Sequence, residues 1–565
     1  MFKKLLDRLH DKKSRHPLGS ASNVEERLDE IPVADPNRVL FDVDQWLRDM
    51  GTHVPEIGVA QALVATRMLD EFAHGAQKDL LGIYLNPERR EYLADSSWSA
   101  LDGHAECLFQ AYLLSFAGVR QAPEQGADKK ALGVAAARAL RAWANHKKML
   151  RLRYRAPLDS LWTSAHEFVR QLAQLELLQF SVVAYVNEAA TTPLREYLVG
   201  VYLELIPLGN LVPPQIELAD RFIRSQEGFD FAARPGAGIS HVIDLSSAQG
   251  PRRVAVEQQP VGGALRFLGS ARLRGALMKL ATAMRKGEIA PDWLVSLPLR
   301  KELVDATILT LAMHWAPTPP QRSSERFEQE EPLLAVFGFV MARRMAAASH
   351  FARMGRSLEY EGVDFEKMYN ENRFGTIEVR PTPKPGETEE PELKIKHPLD
   401  ILQRLELAGD KAQMESWVQV DGSSSGFGAV VPAILARHRI GGLVAVRYAD
   451  GLEWRIGIMR RIGRDQRNRP GIGVEALDWP SIIALARPRG KVSRWTEVAD
   501  AGAGHGWIDG LIVSHRCNEL LLPGDTFVEN LEVDLRSEEG NWCVRLHKLI
   551  AHGPDYDHIE FQRMD

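Results

Sequence analysis

Along this chain the spacing of apolar residues changes from one period to another, and the change separates two kinds of structure. In the front half apolar residues recur every three or four positions. The clearest stretches are VAQALVATRMLDEF (59–72), ALDGHAECLFQAYLLSFAG (100–118), KALGVAAARALRAWANHKKML (130–150) and LDSLWTSAHEFVRQLAQLELLQFSVVAYV (158–186). Such spacing lines one face of an α-helix, so these stretches predict a bundle or a stack of helical hairpins. Toward the C-terminus the period becomes two: WVQV (417–420), GLVAVRY (442–448), LEWRIGIMRRI (452–462) and GIGVEAL (471–477) read as short strands divided by glycine-containing turns. DGLIVS (509–514), TFVENLEVDLR (526–536), WCVRLHKLIAH (542–552) and HIEFQRM (558–564) continue the β pattern. The expectation is a multidomain α+β protein, with a helical N-terminal portion and a C-terminal antiparallel β-barrel followed by a further β-rich segment.

Breaks in composition divide the chain further. Residues 1–40 read as a basic segment and linker, 41–230 as the helical domain, 231–380 as a mixed α/β region, 381–408 as a linker, 409–490 as the barrel and 491–565 as the β-rich extension. The stretch PTPKPGETEEPE (381–392), rich in Pro and Glu, is the strongest of these breaks. Within the mixed region SHVIDLSS (240–247) resembles a strand and 264–287 a helix, while SIIALA (481–486) reads as a short helix or connector.

Charge and cysteine content exclude several classes. With 70 Lys+Arg against 75 Asp+Glu in 565 residues, the net charge of −5 does not suit a globally electrostatic nucleic-acid binder. Cys107, Cys517 and Cys543 are too few and too dispersed for a disulfide framework, which fits a reducing cytoplasm. The basic start, residues 1–15, lacks the uninterrupted apolar stretch of a signal peptide, and nothing elsewhere approaches the roughly 18 apolar residues of a transmembrane helix. Phe2, Leu5, Leu6 and Leu9 lie at helical spacing among lysines and arginines, so this start reads either as a weak membrane-surface contact or as a solvated terminal helix; Asp7 and Asp11 favour the second.

Enzyme signatures are missing. The chain has neither a GxxxxGK[ST] phosphate loop nor a GxSxG nucleophile elbow, and Arg170 stands where a zinc-protease helix beginning at His166-Glu167 would place its second histidine. His515, Cys517, Cys543 and His547 could form a tetrahedral zinc set, but strand packing alone gives the same spacing. His241, Asp244 and Glu257 bear catalytic side-chain types without forming a motif, so the expectation is no catalytic residue, no metal and no cofactor.

The most specific local feature is DGSSSG, Asp421 to Gly426, directly after the strand-like WVQV. A carboxylate here accepts hydrogen bonds from a purine edge or from backbone N–H groups, serine hydroxyls donate to phosphate oxygens, and Gly426 lets a ligand approach the backbone. The plain alternative is a serine-glycine hairpin with an Asx cap. The motif resembles the DxSxxG signature of PilZ domains, small β-barrel receptors of the bacterial second messenger cyclic di-GMP. The strands at 442–448 and 452–462 and the closing GIGVEAL resemble the same family, over about residues 410–490. The resemblance implies that Asp421, Ser423 and Gly426 contact cyclic di-GMP. The family's other signature, RxxxR ahead of the first barrel strand, is absent from 392–416, where Arg404 is the single arginine and the candidate to replace it. RxxxR does occur as Arg151/Arg155 and as Arg460/Arg464. The second pair lies in an arginine-dense stretch, 455–470, that reads either as a phosphate-attracting patch or as a solvated hairpin. The resemblance implies a cyclic di-GMP-responsive effector that contacts a protein partner through its helical portion; the alternative is a ligand-independent interaction scaffold.

Overall fold

In a computed structural model, the structure describes residues 16–86, 91–121, 128–236, 238–254, 262–316, 318, 327–354, 414–449, 451, 453–464, 469–477, 480–490, 492–501, 506–514, 518–537 and 539–564. The chain forms two compact units, Met1–Gln321 and Arg322–Asp565. The basic start 1–15, the Pro/Glu-rich stretch 381–392, Arg404, Glu257, His515 and Cys517 lie outside the described residues.

The first unit is built from α1 (Ala21–Asp29), α2 (Pro36–Arg48), α3 (Met50–Ile57), α4 (Val59–Leu85), α5 (Glu91–Gln121), α6 (Lys129–Leu152), α7 (Asp159–Gln174), α8 (Pro193–Leu203) and α9 (Pro213–Ser225), with a two-stranded ribbon of β1 (Val182–Val183) and β2 (Ala190–Thr191) between α7 and α8. Local chemistry starts several of these helices. Ser20, Asp35 and Thr192 each accept a backbone N–H of the first turn, and Pro36, Pro193 and Pro213 sit where a missing N–H costs nothing. The long helix α6 packs against α5 on one side and α8 on the other. Its Ala135, Ala136, Ala139 and Ala142 are fully or nearly fully buried, which brings the neighbouring backbones close. A Cβ at Gly200 of α8 would lie 2.5 Å from Cζ3 of Trp143.

After α9 come three strands in the order β4 (Arg252–Arg253), β3 (Ile239–Asp244), β5 (Leu265–Gly269), followed by α10 (Ala271–Arg285), α11 (Asp292–Val295) and α12 (Lys301–His314). The segment 264–287, expected as one helix, is a strand followed by a helix. Leu265, Phe267 and Leu268 are buried and pair with β3 before Ser270 opens the helix.

The second unit contains two closed six-stranded antiparallel barrels. The first runs β10 (Arg455–Arg464), β11 (Pro470–Ala476), β8 (Gly426–Val430), β7 (Glu415–Ser423), β6 (Phe327–Phe337), β9 (Leu443–Tyr448) and back to β10. The second runs β12 (Ile482–Pro488), β13 (Ile508–Ser514), β14 (Glu519–Pro523), β17 (Tyr556–Met564), β16 (Gly540–His552), β15 (Glu532–Ser537) and back to β12. Helix α13 (Phe339–Met354) leaves the end of β6, and α14 (Ser493–Ala501) lies between β12 and β13.

Two details differ from the expected barrel of 409–490. Its first strand in chain order, β6, comes from upstream of the Pro/Glu-rich stretch, because Leu333 and Ala335 complete a core with Trp417, Val444, Ile472 and Val474. SIIALA is strand β12 of the second barrel. Ile482, Ala484 and Ala486 fill that barrel, while Ile483 packs with Phe339, Met345 and Ile456 in a core shared by α13 and both barrels. A strand buried on both faces loses the polar-apolar alternation that marks strands in sequence.

Candidate functional site

DGSSSG is a tight hairpin on the first barrel. β7 ends at Ser423 and β8 starts at Gly426, with Ser424 and Ser425 exposed between them. Ser423 Oγ donates to the Gly426 carbonyl at 3.0 Å, and the Ser425 carbonyl accepts from Ala476 N–H at 3.1 Å, which ties the turn to β11. Gly426 has φ +157, and a Cβ there would stand 2.1 Å from the Val474 carbonyl oxygen, so no other residue fits.

A β-bulge between Gln419 and Asp421 sets which way the motif faces. Gln419 points inward and is buried, its amide oxygen accepting from Tyr448 OH at 3.0 Å, whereas Asp421 lies half-buried on the outer face. The sheet register places Asp421 opposite Gly428, Gly428 opposite Gly473, and Gly473 opposite Arg461. On its other side Asp421 pairs with Glu328 of β6. A single row on the outer face therefore reads Glu328, Asp421, Gly428, Gly473, Arg461.

The two glycines of that row carry no side chain, and their neighbours cover them: Gly428 is buried and Gly473 half-buried. Asp421 leans across Gly428, since a Cβ there would meet its Oδ1 at 2.6 Å; a Cβ on Gly473 would meet Arg461 Cβ at 3.2 Å. The next outward row is half glycine, with Val418, Val430, Gly471 and Gly463 in register. The first row follows the curve of the closed barrel, so Asp421 on β7 and Arg461 on β10, three strands of six apart, lie on opposite sides of it.

The arginine-dense stretch divides into different roles. Arg455 lies over the Tyr448 ring at 5.6 Å, and Arg460, the extra residue of a bulge in β10, donates to Glu475 at 2.5 Å. Arg461 is exposed and has no hydrogen bond, ion pair or ring contact among the described residues. The hairpin that follows it lies at the opposite end of the barrel from Ser424-Ser425, because β11 runs antiparallel to β8 with Gly471 against Val430 and Glu475 against Gly426. Sequence spacing hid Arg461, since the two bulges each shift the inward-outward alternation by one residue.

That far end of the barrel has its own polar cluster. Buried Glu415 accepts from Trp417 Nε1 and from His438 Nε2, both at 2.9 Å, and pairs with Arg437. His438 Nδ1 accepts from Leu435 N–H at 3.0 Å, which fixes the neutral tautomer, and burial lowers its pKa.

The other sequence candidates are engaged elsewhere. Arg151 binds Glu204, and Arg155 lies over Trp98 at 4.6 Å. His166 Nδ1–H donates to the Ser247 carbonyl at 2.9 Å. His241 bonds its neighbour Ser240 at 2.8 Å, while Asp244 accepts from Ser246 N–H at 2.9 Å, so the two do not share a site. Cys543 Sγ lies 3.9 Å from Met564 Sδ, and no group of three metal-ligating side chains occurs among the described residues.

Residues 22–228 match the family model described as cyclic-di-GMP receptor FimW, N-terminal domain. The matched stretch lies wholly within the first unit and ends shortly after α9, so it includes neither barrel. No curated protein matches the chain. Among the described residues no helix is long and apolar enough to cross a membrane.

Proposed function

We propose that the chain is a cyclic di-GMP receptor acting as a signalling effector, by binding and partner contact rather than by catalysis. The first barrel, β6 to β11, is the PilZ-like module, with Asp421, Ser423 and Gly426 as ligand contacts. The observation that carries this reading is the DxSxxG turn itself, a tight hairpin joining β7 to β8 with Ser424 and Ser425 exposed and with Gly426 at a position that no side chain fits. The family match of the first unit supports the same ligand from a separate part of the chain. Arg404 stays a proposed contact by its position ahead of β7. The helical unit is proposed to hold the protein partner, in the cytoplasm.

Calorimetry tests the reading directly. Cyclic di-GMP titrated into the full chain is expected to give saturable heat, and Asp421→Ala to abolish it while the melting temperature holds. Flat traces with wild-type protein at tens of micromolar would sink the proposal. The rival reading, a ligand-independent scaffold, draws on the missing RxxxR in 392–416. It expects Asp421→Ala to leave partner capture unchanged with and without nucleotide.

A further inference from the structure

We infer that a pocket in the helical unit is a docking site for an acidic peptide segment of a protein partner, one that carries carboxylates beside an apolar side chain. This rests on the reading of the helical unit as the part that holds the partner, and it names the place and the chemistry of that contact.

The pocket measures about 420 Å³ and lies where α4 and the N-terminal half of α6 meet the β1–β2 ribbon. One side chain holds its walls together. Arg138, 2% exposed, donates from Nε to the Ala184 carbonyl at 2.6 Å, from Nη1 to the Arg67 carbonyl at 3.1 Å and from Nη2 to Glu71 at 3.1 Å. It therefore ties the ribbon to α4, and its own charge is answered by Glu71 and buried Asp70. A site built before its ligand arrives loses less ordering entropy on binding.

Two other cations line the pocket without such a tie. The side chains of Arg67 and Lys130 make no hydrogen bond, ion pair or ring contact among the described residues, and Arg67 Nε is buried without an acceptor. Glu71, already taken by Arg138, is the one carboxylate among the lining residues, so the pocket is left positive. An uncommitted guanidinium offers a carboxylate two parallel hydrogen bonds, and an ammonium beside it adds attraction.

The remaining lining selects a peptide over a nucleotide. Val183 and Val186, 52% and 72% exposed, line the same pocket and present apolar surface next to the free cations. Tyr185 is the one aromatic ring among the lining residues; it stacks on His74 at 3.6 Å and carries the Arg138 guanidinium at 4.3 Å, so it offers no platform to a base. Acid beside aliphatic is the side-chain pattern that meets both halves of this surface.

A random dodecapeptide library displayed on phage and panned against the full-length protein tests the inference. Enriched sequences are expected to share Asp or Glu next to Leu, Ile or Val. A synthetic consensus peptide is expected to bind the wild type in fluorescence anisotropy, and to lose affinity about tenfold or more in Arg67→Glu and about threefold in Lys130→Glu, whereas Lys301→Glu, the same charge reversal on α12, stays within about twofold. Lys130 is exposed, so its variant keeps the melting temperature and carries the comparison should Arg67→Glu melt early. Enrichment of basic or uncharged sequences, no enrichment, or equal affinity in all three variants would overturn the inference. Cyclic di-GMP heat is expected to persist in Arg67→Glu; its loss there would make the pocket the nucleotide site and equally overturn the peptide reading. A wild type that binds acidic peptides but gives no heat with cyclic di-GMP would remove the receptor reading alone.

Discussion

Two glycines illustrate how single atoms set the candidate site. At Gly428 the missing Cβ makes room for the Asp421 carboxylate, while at Gly426 it makes room for the main chain of β11. The consequences of filling them differ. Gly428→Ala is expected to displace a side chain that can rotate, leaving the melting temperature nearly unchanged and reducing cyclic di-GMP heat. Gly426→Ala drives a methyl into a carbonyl oxygen that cannot move without breaking the ladder, and is expected to cost about 2–3 kcal/mol in a denaturant titration. Equal stability of the two variants would contradict this assignment.

Buried charge in the helical unit gives a second prediction at this scale. Lys148 donates to Glu217 and Asp220, both at 2.8 Å, Arg224 joins Asp220 to Glu196, and Lys147 and Arg151 share Glu204. Burial alone would raise the carboxyls of Glu196, Glu204 and Asp220. The facing cations win, holding Glu204 at about 2 and lowering Asp220 and Glu196. Groups with depressed pKa values stabilise the fold fully above their unfolded pKa, about 4, and lose that contribution as pH falls toward the folded value. The network's contribution to the first unit should therefore be level from pH 7 to 5, where buried His166 and His241, their pKa values lowered, already begin to weaken the fold, and should fall steeply between about pH 4.5 and 2; no further loss of melting temperature in that lower range would refute the network's role. Lys148→Met, which strands two carboxylates with only their peripheral arginines, is expected to cost about 3 kcal/mol by urea unfolding.

Among the elements, β12 shows why a segment can be misread while its neighbours are not. β7 presents one wet face, so inward Trp417 and Gln419 alternate with exposed Ser416 and Val418. In β12 the second face is covered by α13, so Ile482, Ile483, Ala484, Leu485 and Ala486 are all buried and no alternation survives. Ile483 has a packing role of its own at that shared core. Ile483→Ala is expected to destabilise the second unit by about 2–4 kcal/mol in a thermal or denaturant melt, far more than an exposed barrel position such as Val418→Ala. If the two cost the same, the shared core is not cooperative.

At the scale of the whole molecule, a family match to one unit and a ligand motif on the other imply a division of labour that can be separated experimentally. Each unit is compact by itself. A chain of residues 322–565 is expected to retain the calorimetric response to cyclic di-GMP, and one of residues 16–321 to melt cooperatively without it. Heat from the helical unit alone would move the ligand site into the region of the family match.

The sequence by itself determined the α-then-β order, the helical spacing of the front, the strand character of 417–477 and the DGSSSG turn, because periodicity and turn chemistry are local properties of a few adjacent residues. Tertiary structure decided what locality cannot carry. It recruited β6 from upstream of the Pro/Glu-rich stretch, buried β12 on both faces, and closed the β-rich extension into a second barrel. It also set Asp421 and Arg461, forty positions apart in sequence, on the outer face at opposite sides of the first barrel, through four strands and two bulges. Each bulge reverses the side-chain alternation, so the face an arginine occupies is fixed by pairing across the barrel and not by its distance along the chain.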